Sequence, residues 1–160
     1  MDWLASLLKL AHVALAMILV TGAVGRLLVL RRARAEARIE RVVELTELAH
    51  PFERMVVLSS MAILPAGLLT AWAQGYEWLG LTTGWMLVST VIYLAATALV
   101  PTIFVPRGRG FEAALREALT AGQVTPELRT AFGDPAVAFA RTAELVGVAL
   151  IVALMVLKPF

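Results

Sequence analysis

The chain has 160 residues, enough for one domain, with 14 Lys and Arg against 12 Asp and Glu and no cysteine. It is 60% hydrophobic and 16% charged, with a mean hydropathy of +0.82; soluble domains average roughly half apolar and a quarter charged, so this chain suits a lipid bilayer. The missing cysteine excludes disulfides, thiolate metal sites, iron–sulfur clusters and cysteine nucleophiles, and no phosphate loop, GxSxG or HExxH motif is present.

The first apolar run, residues 4–30, reads LASLLKLAHVALAMILVTGAVGRLLVL and stops at Arg31, Arg32 and Arg34. It exceeds the roughly 20 residues needed to cross a bilayer. It is also too long for a signal-peptide core of roughly 7–15 residues, so a retained anchor is expected. Lys9 and His12 lie inside it, three residues apart and therefore on one helix face. Ala16, Ala23 and Arg26 fall near the same face, which predicts a surface packed on other helices.

Residues 31–51 contain no Gly or Pro before Pro51 and carry Ile39, Val42, Val43 and Leu45 on an amphipathic side. They read as a helix that continues the first span. The arginines here read as a topology signal on a solvated face near anionic lipid; no nucleic-acid-binding pattern accompanies them.

The second span covers 52–73, with Pro51 expected at its first turn and Pro65 expected to kink it. A short outer loop makes the second and third spans antiparallel neighbours. The third span, 81–105, holds Tyr93 near mid-membrane, where its hydroxyl needs a partner. Residues 106–134 open with PRGRG, read as a turn, followed by a short helix ending at Gly122. Thr125-Pro126 and Asp134-Pro135 are each a cap residue before a first-turn proline, so another short helix and the fourth span, 135–157, begin there. Arg141 and Glu144 are three apart and are expected to pair on one face, as a structural ion pair or as a gate in a small transporter.

The predicted architecture is all-α: an integral membrane four-helix bundle with a cytoplasmic extension of helix 1 and short cytoplasmic helices between spans 3 and 4. Of the 14 basic residues, 12 fall between spans one and two or between spans three and four when the adjoining helix ends are counted with them. Both of those segments are then cytoplasmic and both termini periplasmic. Trp3, Trp72, Trp78 and Trp85 map to the opposite interface, as an aromatic belt would. Gly22, Gly25, Gly67 and Gly147 allow close helix approach, and a homodimer is expected from them.

An intramembrane histidine serves as a haem or metal ligand, a proton carrier or an interhelical hydrogen-bond donor. All three remain open for His12. His50 is no mate for it: His12 lies 18 residues from Leu30, about 27 Å along the helix from the inner boundary. Met17, Met55, Met61, Met86 and Met155 are scattered and form no copper ladder.

The opening LLKLAHVALAMILVTGAVGRLLVLRRAR and the ending ALMVLKP resemble an uncharacterised bacterial family of predicted four-span integral membrane proteins. The K-x-x-H opening also resembles the HemJ-type protoporphyrinogen oxidases and, more distantly, the CopD-type membrane proteins. The HemJ-type resemblance implies that His12 takes part in haem binding. That family also depends on a lysine in a later helix, and here none lies between Lys9 and Lys158. The expectation is an inner-membrane b-type haem protein, with His12 as axial ligand and Lys9 meeting a propionate, in a redox or haem-handling role. The alternative is a non-catalytic subunit or assembly factor of a larger membrane complex.

Overall fold

Backbone groups in hydrocarbon have no water to bond, so apolar runs of this length satisfy them as helices. The computed structural model describes residues 2–159, and among them there is no strand. Four helices among the described residues are long and apolar enough to cross a membrane. In chain order the elements are α1 (Asp2–Ala35), α2 (Ile39–Ala73), a single 3-10 turn (Glu77–Gly80), α3 (Gly84–Leu99), a π-helical turn (Val100–Phe104), α4 (Val105–Ala121), α5 (Pro126–Phe132) and α6 (Pro135–Leu157).

The expected extension of helix 1 is corrected in extent. α1 runs to Ala35, just over a turn past Leu30, and ends with Arg32 and Arg34 at the negative pole of its dipole. The chain then turns at 36–38, and the amphipathic stretch becomes the start of α2. The turn is held by the Glu36 carboxylate, which accepts from the N–H groups of Ala37 and Arg38 at 3.0 and 3.4 Å. Those bonds hold its carboxyl below the usual carboxylate range. Their contribution is therefore present at neutral pH and lost on acidification through that lowered value.

Reversal at this point lets Ile39 and Val42 bury against Ala118 and Leu128, with Phe111 and Phe132 alongside. The two phenyl rings meet edge to face at 4.9 Å. This is a small water-side core, and it explains why the helix belongs to α2. Pro51 consequently lies inside α2 rather than at its first turn. It is exposed near the end of the apolar run, where the carbonyl it frees can find a polar partner.

The PRGRG segment is likewise helical, not a turn: α4 begins at Val105, with proline accepted in its first turn. Pro101 reshapes the end of α3 into the π-helical turn, which joins α3 to α4 without a break. α4 ends at Gly122 in the left-handed conformation (φ +66°). Thr125 caps α5 by accepting from Leu128 N–H at 3.3 Å, and Asp134 caps α6 by accepting from Ala136 N–H at 2.8 Å. Asp134 also pairs with Arg107 of α4 at 3.0 Å, tying the loop helices to the start of α6.

The spans pack as two antiparallel pairs, α1 with α2 and α3 with α6. The expected neighbours α2 and α3 meet mainly through the Tyr93 hydroxyl, which donates to the Ser60 carbonyl. The glycines expected to make a homodimer serve packing within the chain. A Cβ on Gly22 would fall 2.8 Å from the Phe52 carbonyl oxygen, and one on Gly147 would fall 3.3 Å from Ile92. Gly25 faces the Phe52 ring and Gly67 faces His12. The span hydroxyls of Ser59, Thr70, Ser89, Thr90 and Thr97 all donate to carbonyls of their own helices, so none is orphaned.

Candidate functional site: two intramembrane polar clusters

The first cluster sits on the α1–α2 seam. His12 lies opposite Ile63 and Gly67, and its Nδ1 is 3.1 Å from the Ile63 carbonyl oxygen. A carbonyl only accepts, so Nδ1 carries the hydrogen, and in the neutral ring Nε2 keeps its lone pair. Gly67 makes this approach possible: a Cβ there would stand 2.9 Å from Cε1 of the ring. Lys9 is exposed one turn outward. His50 is 13 residues before Ile63 on α2, about 20 Å along the helix. The two histidines are therefore kept apart, as the span lengths predict. Among the described residues, no group of three or more His, Asp or Glu is placed to hold a metal ion.

The second cluster joins the two helix pairs near the arginine-rich end. Arg26 of α1 donates from Nη2 to Glu144 Oε2 of α6 at 2.9 Å, with side chains only 14% and 15% exposed. The expected pairing of Glu144 with Arg141 is thus replaced by a partner on another helix. Arg141, half-buried and one turn before Glu144, borders the same small gap together with Ala23, Leu27 and Leu145. That gap is about 10 Å³, at the lower limit for one water. The Arg26 guanidinium carbon also stands 5.4 Å from the Phe104 ring centroid, over the π-helical turn.

Arg26 lies on the α1 face that its spacing from Lys9 and His12 predicts, and its partner 118 residues away is beyond the reach of local spacing. At the opposite end, Lys158 Nζ lies 5.5 Å from the Trp85 ring centroid, and Tyr76 meets Trp85 edge-on at 6.4 Å. A cation therefore stands over an aromatic ring toward each end of the bundle.

The model of the family described as predicted integral membrane protein (DUF2269) matches residues 6–159. The chain belongs to that family. No curated protein and no solved structure matches it.

Proposed function

We propose that this member of the predicted integral membrane protein family is a b-type haem-binding protein of the bacterial inner membrane, acting in redox or haem handling. One observation carries the reading. The His12 imidazole donates from Nδ1 to the Ile63 carbonyl, which fixes its tautomer and leaves Nε2 as a lone-pair donor. A neutral imidazole held in this way has a free lone pair with which it would hold a haem iron. Haem, when bound, would supply redox or small-ligand chemistry at its iron. His12 would hold it, and Lys9, one turn outward, would meet a propionate or another anion. His50 is too distant to complete the set, so the other position would be open, filled by a non-histidine group, or filled by His12 of another copy in a homodimer.

The same hydrogen bond also favours a second reading, in which His12 only clasps α1 to α2 in a non-catalytic subunit or assembly factor. An absorption spectrum of protein expressed with ample haem separates the two. The expected result is a Soret band that His12→Ala abolishes and His50→Ala keeps. A colourless, well-folded wild-type protein overturns the haem reading and leaves the clasp.

The arginine-rich end is assigned to the cytoplasm and both termini to the periplasm by the 12-of-14 split of basic residues. A periplasm-active reporter fused after Phe160 is expected to be active. A reporter active there only in the cytoplasm reverses the orientation.

A further inference from the structure

A groove of about 730 Å³ runs along the α1–α2 hairpin. That volume lies within the roughly 300–1,000 Å³ typical of ligand sites. Leu15 and Ile18 of α1 and Leu58 and Ala62 of α2 form apolar walls, while His50 and Arg54 stand at the arginine-rich end. Leu58 is 68% exposed and Ile18 41%, so the groove opens to the outside of the hairpin.

Its dimensions match one leaflet. His50 to Ala62 spans 12 residues, about 18 Å of helix, against ~15 Å for half of the hydrocarbon core. The groove therefore begins at headgroup level and ends near the midplane. Spread over that length, its volume leaves a cross-section of roughly 40 Å², about half that of an α-helix ~10 Å across. It is too narrow for a helix of a second copy and wide enough for an extended hydrocarbon chain.

The polar groups are confined to one end, as an amphiphile requires. Arg54 presents a planar fork suited to phosphate, and His50 is one turn away on the same stripe. Glu53 lies about 100° around the helix from Arg54 and does not line the groove. Glu47 is one turn beyond His50, toward the water side.

We propose that this groove binds one acyl chain of an anionic phospholipid from the leaflet at the arginine-rich end, with the lipid phosphate at Arg54 and His50. The proposal is independent of the haem reading, because it uses neither His12 nor Lys9.

The test is native mass spectrometry of the full chain in mild detergent with added phosphatidylglycerol or phosphatidylcholine. Wild type is expected to retain one phosphatidylglycerol in preference by about fivefold, the value of one arginine beside an anionic headgroup. Arg54→Ala is expected to remove the preference, and Leu58→Trp, which fills the groove, to lower retention of both lipids. Both side chains are exposed, so both variants are expected to elute as wild type does. Equal retention of the two lipids by wild type overturns the proposal, as does a preference that survives Arg54→Ala. Retention of both lipids untouched by Leu58→Trp overturns the groove and leaves only surface attraction. A lipid-free dimer broken by Leu58→Trp overturns it in favour of a second copy.

Discussion

Replacing Glu144 with Ala is expected to destabilise the folded protein by about 3–5 kcal/mol, the cost of leaving a buried charge without its partner. The Arg26–Glu144 pair is 2.9 Å long and mostly buried on both sides. Arg141 borders the same gap, so losing the carboxylate leaves two guanidinium groups facing one another. Arg141 is nearer the arginine-rich end and can extend its head toward water. Arg26 is held over Phe104 and has less freedom.

The double variant Arg26→Met/Glu144→Leu is expected to recover most of the loss, because a well-packed apolar replacement of a buried pair is often neutral. Denaturant titration of the wild type, Arg26→Met, Glu144→Leu and the double variant closes the cycle, with Glu144→Ala measured beside them. A loss under about 1 kcal/mol for Glu144→Ala, the value of an exposed pair, would show that the cluster is solvated. A rigid link here has structural weight, because within the spans the α1–α2 and α3–α6 pairs are otherwise joined by the Tyr93–Ser60 hydrogen bond.

How these residues came to be legible, or not, follows from the range of each signal. Hydropathy acts within one span, and all four spans stand out in the sequence. Caps act over three residues, so Thr125 and Asp134 mark α5 and α6 correctly. The reversal at 36–38 has no Gly or Pro to announce it. It arises because Ile39 and Val42 have a core to join that is built from α4 and α5. The same core carries α2 through Pro51.

Glu144 is 118 residues from Arg26, and local spacing sees only Arg141, three positions away. His12 was placed in the interior by the cost of burying an imidazole, but its partner is a main-chain carbonyl, which has no residue type to read. The glycines were recognised as contact points, and only the fold says that their contacts lie within one chain.

Gly22→Val is expected to be the most damaging of the glycine substitutions in the α1–α2 seam. A Cβ at Gly22 would meet the Phe52 carbonyl oxygen at 2.8 Å, Met55 Cβ at 3.0 Å and Val56 Cγ2 at 3.0 Å. Two of those neighbours are backbone or Cβ atoms, which cannot swing aside, so the helices must separate. Overpacking of this kind costs about 1–3 kcal/mol, and a β-branched residue against backbone falls at the upper end.

Gly67→Ala differs because its obstacle is the His12 ring, a side chain that can rotate away. Its expected cost is about 1 kcal/mol, the worth of the His12–Ile63 hydrogen bond, and His12→Ala added to it should relieve the clash. Gly110→Ala has nothing within 4 Å in α4 and should stabilise by about 0.5–1 kcal/mol, as Ala does over Gly in a helix. Thermal unfolding in one detergent ranks the three. If Gly22→Val unfolds no earlier than Gly67→Ala, the close approach of α1 to Phe52 is not what holds the hairpin together.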